Sequence, residues 1–405
     1  MKTFTELPLL PVLQTNLAQN GFVEATPIQS KAIEPALAGL DLVATAQTGT
    51  GKTLAFVLPV IQSLAATRGA SGVRAVILSP TRELALQIHE TFTKMAAGTG
   101  VRAAIVVGGL NERPQLQSIR KGAQALIATA GRLEDFLGRG LIDLSQANIL
   151  VLDEADRMLD MGFLPTIQRI MAALPAVRQT LFFSATIESS VKRLVEKYAP
   201  NAVRIAVDSI TKPAEGVDLH LYEVEQDGKL DLLHRMLNRQ EGAFLVFART
   251  KRGAERLARR LAGDGIQAAA IHGDRSQNQR SQALRGFQNG RYRVLVATDI
   301  AARGIHVDGI SHVINYDLPQ VPEDFIHRVG RTGRMGARGT ASTFGTRSER
   351  SAIAQIERTI AMRLVRCNAA GEVANEQPEA RPAAQPHRWR SYGPSAGTRR
   401  RAHAV

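Results

Sequence analysis

Two doubly wound α/β domains in tandem, each built on a parallel sheet, are what this 405-residue chain predicts. Three observations lead there. Short apolar, β-branched runs alternate with longer helical patterns, as in a parallel sheet covered on both faces. The alternation breaks once, at Thr-Lys-Pro-Ala-Glu-Gly within residues 208–216, and then restarts. The length also exceeds one ordinary core, since a domain takes roughly 100–200 residues.

In the first half the predicted strands are 42–46, 75–79, 102–107, 125–129, 149–152 and 180–184, with helices over 53–66, 83–97 and 163–173. In the second half the strands are 243–248, 266–271, 294–298, 312–316 and 340–344, with helices over 251–262 and 277–288. The domains are therefore placed at 31–207 and 217–367, after an N-terminal region of 1–30 and around a linker of 208–216. No internal repeat is visible in the sequence. From residue 368 to 405 Ala, Pro, Gln, Arg and Gly dominate and no apolar period survives, which predicts a short disordered basic tail.

A formal net charge of +14 points to a polyanionic partner, because neutralising phosphates releases counterions. The one cysteine, Cys367, excludes an intrachain disulfide framework and a thiolate zinc site. The first residues carry no apolar leader segment, and Pro, Gly or charge interrupts every long apolar run. A cytoplasmic protein without a membrane span is the expectation.

Two motifs carry phosphate chemistry. Ala46-Gln47-Thr48-Gly49-Thr50-Gly51-Lys52-Thr53 follows a predicted strand and opens a helix. Small residues there let backbone N–H groups wrap phosphates, Lys52 reaches the terminal phosphates and the Thr53 hydroxyl ligates Mg²⁺. The general pattern begins with Gly where this chain has Ala46. Asp153-Glu154-Ala155-Asp156 ends a second strand. Carboxylates at that end of an open sheet lie beside such a loop, so Asp153 is the candidate for Mg²⁺ and Glu154 for orienting and deprotonating water.

With these motifs the chain resembles the DEAD-box RNA helicases of superfamily 2, from about Phe4 to about Arg366. Gly21-Phe22 with Thr26-Pro27-Ile28-Gln29, preceded by Phe4, is similar to the family's adenine-reading segment. The resemblance implies that Gln29 bonds the adenine edge and that an aromatic stacks on the ring. Pro80-Thr81-Arg82-Glu83-Leu84-Ala85, the pair Gly108-Gly109 and Thr129-Ala130-Gly131-Arg132 resemble the family's RNA-backbone motifs. That implies RNA contacts from Pro80, Thr81, Arg82, Gly109, Thr129 and Arg132. Ala130 stands where the family usually has Pro. Ser184-Ala185-Thr186 resembles the motif whose hydroxyls link the last carboxylate, here Asp156, to a domain 2 histidine, here His327.

In the second half, the segment from Phe247 to Thr250, then Gly273, the pair Gln277 and Arg280, and Thr298 within Ala297-Thr298-Asp299-Ile300 resemble the remaining RNA-binding motifs. His327-Arg328-Val329-Gly330-Arg331-Thr332-Gly333-Arg334 resembles the motif whose arginines, here Arg331 and Arg334, act on the γ-phosphate. His306 stands where the family usually has an Asp that reads the ATP ribose, and a neutral imidazole keeps one acceptor for that bond.

The resemblance thus implies two RecA-like domains and an RNA-dependent ATPase. ATP, Mg²⁺ and single-stranded or short duplex RNA are the expected ligands, with sequence-independent backbone binding. A monomer with ribonucleoprotein partners, of the bacterial RhlE-like remodelling kind, is the expected setting. The alternatives are an ATP-gated RNA clamp with little unwinding and a DNA-directed helicase of the same superfamily.

Overall fold

The computed structural model describes residues 2–46, 50–66, 72–187, 189–207, 216–302, 307, 309–333 and 338–368. Among them are two seven-stranded sheets, and every pairing in both is parallel. The first contains β1 (Leu42–Thr45), β2 (Ala75–Ser79), β3 (Ala103–Val106), β4 (Ala125–Thr129), β5 (Ile149–Asp153), β6 (Gln179–Ser184) and β7 (Val203–Ala206). The second contains β8 (Val217–Glu223), β9 (Ala243–Phe247), β10 (Ala268–Ile271), β11 (Val294–Ala297), β12 (Ile310–Asn315), β13 (Gly339–Gly345) and β14 (Val365–Cys367). The strand orders are β3-β4-β2-β5-β6-β1-β7 and β10-β11-β9-β12-β13-β8-β14. Adding seven to each label of the first gives the second. The two halves therefore repeat one topology that the sequence does not display.

The expected strands are present within a residue or two at their ends. Three were not foreseen: β7, β8 and β14. β7 and β14 are edge strands with only one neighbour, and their burial is broken by exposed positions. Their apolar runs are accordingly too weak to announce a buried strand. β8 alternates polar and apolar residues directly after the linker, Val217-Asp218-Leu219-His220-Leu221.

Each sheet is buried on both faces. One layer of the first domain packs Phe56, Phe92, Ile77 and Phe183 together, and the other packs Phe136, Leu126, Leu150 and Phe182. The second domain repeats this with Phe247, Leu295 and Phe325 on one side and Phe244, Val246 and Phe344 on the other. All strands run one way within a sheet, so all their carboxyl ends lie on one rim. The candidate residues follow β1, β2, β3, β4, β5 and β6 on that rim, and β9, β10 and β11 on its counterpart.

Ala130 is buried at the first position of helix Ala130–Gly138. Proline suits that place because its missing N–H has no helical partner there. Alanine starts the helix as well, so its replacement of Pro leaves the element intact. No helix among the described residues is long and apolar enough to cross a membrane.

Candidate functional site

The glycine-rich segment expected to bind phosphate lies in sequence between β1 and helix Lys52–Ala66. Gln47, Thr48 and Gly49 lie outside the described residues. Gly51 adopts φ +89, and a Cβ there would sit 2.4 Å from Gln29 Nε2, so this position requires glycine. Gln29 itself is buried. Its Oε1 accepts from Thr26 N at 2.8 Å and its Nε2 donates to the Gly51 carbonyl at 2.9 Å. Each amide atom retains capacity for one more bond. Gln29 thus ties Gly51 to the segment at Thr26, a bracing contact the sequence did not suggest. Of the two candidate stacking rings, Phe4 is packed into the core while Phe22 is 40% exposed. That corrects the expectation for Phe4: a ring enclosed by core neighbours offers no face to a base.

Lys52 is buried, and its Nζ donates to the Ala46 carbonyl at 2.9 Å. Thr53 follows it in the first helical turn. Asp153 ends β5 and Glu154 follows it as the N-cap of helix Ala155–Asp160, both buried. Burial pushes the Asp153 carboxyl up to about 7, with Lys52 opposing and the Glu154 charge adding to the rise. Burial alone would raise Glu154 too, but Arg157, Lys52 and Arg331 outweigh it and hold this carboxyl down at about 2. Arg157 NH1 donates to Glu154 Oε2 at 2.5 Å. Glu154 also takes φ 52, ψ 53, the left-handed region where a side chain of this kind costs about 1–3 kcal/mol.

Asp153 and Thr53 offer hard oxygen donors of the type Mg²⁺ takes, and a buried carboxyl whose charge is undercompensated is what a divalent cation relieves. Among the described residues no group of three or more acidic, His or Cys side chains is arranged to hold a metal ion by itself. That suits an ion completed by water and phosphate oxygens.

Asp156 is fixed by the segment after β6. Its Oδ2 accepts from Ala185 N, Thr186 N and Thr186 Oγ1 at 2.9, 2.8 and 3.2 Å, and Ser184 Oγ accepts from Asp156 N at 3.2 Å. His327, in helix Pro322–Val329, lies within electrostatic reach of Asp156. No hydrogen bond joins the two side chains in this structure. The relay expected from the sequence is therefore assembled as far as Thr186, with His327 facing it across a gap. Burial holds His327 below its usual value, Asp156 opposing and Arg331 reinforcing the shift.

Between the halves lies a cleft of about 1140 Å³. Glu154, Asp156 and Thr186 line it from one side, and Thr250, Gly273, Thr298, His327 and Arg331 from the other. Arg331 is buried and donates from Nε to the His327 carbonyl at 3.1 Å. Its charge reaches Glu154, so one site draws on both domains. Arg334 and His306 lie outside the described residues. Arg328, not singled out from the sequence, clamps Asp299 through Nε and NH2 at 2.5 and 2.8 Å. It lies over the Phe247 ring at 4.9 Å.

The expected RNA contacts divide into two groups. Thr81 and Thr250 cap their helices, accepting from Leu84 N at 3.3 Å and Gly253 N at 2.9 Å. Pro80 is buried just before Thr81, and Thr129 precedes its helix. Arg82 packs on Gly108 and Gly109, where a Cβ on Gly109 would meet its NH1 at 2.2 Å. Arg132 pairs with Asp135 at 2.8 Å. Burial lowers Arg82, and the charges of Arg280 and Arg132 lower it further while Glu83 opposes. Cationic groups from both domains thus converge.

Gln277 and Arg280 differ from expectation. Gln277 Nε2 donates to Glu83 Oε1 at 2.9 Å, and Arg280 NH2 to Glu83 Oε2 at 2.9 Å. Instead of facing an RNA backbone with these groups, they clasp domain 1. Glu83 is buried, so its charge must be paired. Glu83→Gln is expected to remove about 2 kcal/mol of closure, the worth of a hydrogen bond to a charged group. The RNA concentration at half closure, read by energy transfer between dyes on the two domains, then rises roughly 30-fold. An unchanged midpoint would deny the clasp a part in closure.

Residues 26–194 match the sequence model of the DEAD/DEAH box helicase family, and residues 228–336 that of the helicase conserved C-terminal domain. The DEAD-box ATP-dependent RNA helicase CshA of Streptococcus pneumoniae serotype 4 is 42% identical over 331 residues, 81% of this chain and 62% of that one. The CshA of Geobacillus kaustophilus is 41% identical over 369 residues, 90% of this chain and 78% of that one. The chain thus spans less than two thirds of the pneumococcal relative. Among solved structures, S. cerevisiae Dbp5 bound to RNA and ADP BeF3 superposes with a TM-score of 0.83 at 30% identity, covering 91% of this chain and 96% of that one. A DEAD box protein of Methanococcus jannaschii, 36% identical and covering 90% and 98%, reaches only 0.53. Higher identity with poorer superposition is expected when two chains share domains but place them differently. Matched in both halves, and at 41% identity over nine tenths of its length, the chain belongs to the DEAD/DEAH box helicase family.

Proposed function

We propose that this chain is an ATP-dependent RNA helicase. ATP and RNA together close its two domains on one strand, short duplexes separate as that strand is bent, and hydrolysis with phosphate loss reopens the clamp. The observation that carries the reading is the shared cleft, with Glu154 and Asp156 on one wall and Arg331 and Thr298 on the other. Neither domain holds a complete site. The arrangement of the domains resembles that of Dbp5 with RNA and a nucleotide analogue, which supports this as the closed state. Each ligand that favours closure then favours the other, as linkage requires.

Within the site, Lys52 and Thr53 address the phosphates, and Asp153 with Thr53 holds Mg²⁺, which would neutralise phosphate charge. Phe22 stacks on the base that Gln29 reads, and Gln47, Thr48 and Gly49 complete the phosphate loop. Arg157, Lys52 and Arg331 hold Glu154 as an anion, which suits it to orient the attacking water and take its proton. Arg331 and Arg334 stabilise charge on the transferring phosphoryl oxygens. Arg82, Arg132, Thr129, Thr250 and Gly273 hold the RNA backbone without reading bases. A cytoplasmic monomer that remodels ribonucleoproteins, as an RhlE-like general remodeller would, completes the proposal.

Phosphate release with RNA, with DNA of equal sequence and without nucleic acid tests it. Strong stimulation by RNA alone is expected. Equal stimulation by DNA favours the DNA-directed alternative. RNA stimulation with no loss of a short fluorescent duplex favours the clamp.

A further inference from the structure

Lys229 opens helix Lys229–Arg239 and is 1% exposed. An ammonium group so buried needs anionic partners. Its Nζ lies 3.6 Å from Asp317 Oδ1 and 3.9 Å from Glu349 Oε2, with the Tyr316 ring 5.8 Å away. Both carboxylates in turn hold groups that form the cleft. Asp317 Oδ2 accepts from Arg249 N at 2.9 Å, and the Asp317 carbonyl accepts from Arg328 NH1 at 2.6 Å. Glu349 Oε1 accepts from Arg249 NH2 at 3.0 Å, while its Oε2 accepts from Thr346 N at 3.0 Å. Arg328 carries the connection to Asp299, next to Thr298, and sits in the turn that presents Arg331.

We infer that Lys229, Asp317 and Glu349 form a positioning cluster that fixes the Arg249–Thr250 loop relative to the Arg328–Arg331 turn, so that RNA held at the first sets the arginine at the second. The inference rests on the helicase reading of the cleft. The physical argument is charge balance. Without the Lys229 cation, the partly buried Asp317 and Glu349 lose the positive charge that lies between them, and the Arg249 guanidinium reaches Glu349 while Asp317 has the Arg249 backbone N–H. Like charges in that setting move apart or take up a proton. Either outcome shifts the Arg249 backbone and the carbonyl that steadies Arg328. None of the three residues touches the cleft's far wall, so they act only through the arginines they hold.

The test measures ATP turnover by the full chain against RNA concentration, in the wild type and in Lys229→Met, Lys229→Arg and Glu349→Gln. Lys229→Met is expected to lower RNA-saturated turnover about ten-fold, within the range that residues between coupled sites contribute. RNA-free turnover and its KM for ATP stay at wild-type values, and Lys229→Arg restores most of the loss. A lysine that merely stabilised the fold would lower both rates together and leave their ratio unchanged. If Lys229→Met fails to fold, Glu349→Gln decides. It keeps an acceptor for Thr346 N but removes the carboxylate charge that faces Arg249 and Lys229, and should lower the stimulation ratio roughly three-fold. An unchanged ratio in the folded variants overturns the cluster's role. A wild type that RNA does not stimulate overturns the helicase reading instead.

Discussion

Glu154→Gln is expected to bind ATP and RNA as the wild type does and to hydrolyse ATP slower by about 10²–10⁴-fold, the contribution of a positioned acid–base group. The structure explains why binding survives. Glutamine keeps an oxygen to accept from Arg157 NH1, now 2.5 Å from Glu154 Oε2. The left-handed turn at φ 52 is therefore still braced. The lost element is the anion that draws a water toward the phosphorus. With closure intact and turnover blocked, the variant should stay on RNA as a long-lived complex. Single-turnover hydrolysis, with RNA dissociation followed by anisotropy, measures both effects. Wild-type turnover would remove Glu154 from the reaction and leave Asp156 as the carboxylate to examine.

Arg331→Ala is expected to slow RNA-stimulated hydrolysis by roughly 10³-fold or more, as loss of an arginine finger does elsewhere. Arg331 is buried beside His327, and its charge is felt at Glu154 across the cleft. It can serve only when the domains are closed. ATP affinity without RNA should change little, because the nucleotide loop and Gln29 belong to domain 1. The measurement is the split between these two quantities. Normal turnover at saturating RNA would refute the two-domain site. Equal losses in both quantities would instead indicate damage to the fold. Arg331→Lys should rescue poorly, since an ammonium cannot present the planar fork of a guanidinium.

Much of this protein was legible in the sequence because it is local. A glycine-rich stretch between strand and helix, or an acidic tetrapeptide ending an apolar strand, carries its meaning in adjacent residues. Lys52, Asp153 and Glu154 could be singled out that way. The alternation of short strands and helices placed two parallel sheets and the break between them, because burial on both faces forces continuous apolar runs.

Tertiary structure decided what adjacency does not record. The Glu83–Gln277 bond joins residues 194 positions apart, and Glu83–Arg280 joins residues 197 apart. The family resemblance assigns Gln277 and Arg280 to RNA and gives Glu83 no role. Only their burial against one another makes them an interdomain clasp. Lys229 reads as an ordinary helix-opening lysine until Asp317 and Glu349 are brought around it. Phe4 and Phe22 look equivalent as stacking rings until packing buries one and exposes the other. The repeated strand order needed the edge strands β7 and β14, which pair on one side only and so carry weak apolar patterns. The sequence by itself determined the two parallel sheets, apart from β7, β8 and β14, and placed the candidate residues at their rims. The partners of buried charges were settled only by folding, because a desolvated charge takes whichever opposite charge the packing brings within reach, regardless of its place in the chain.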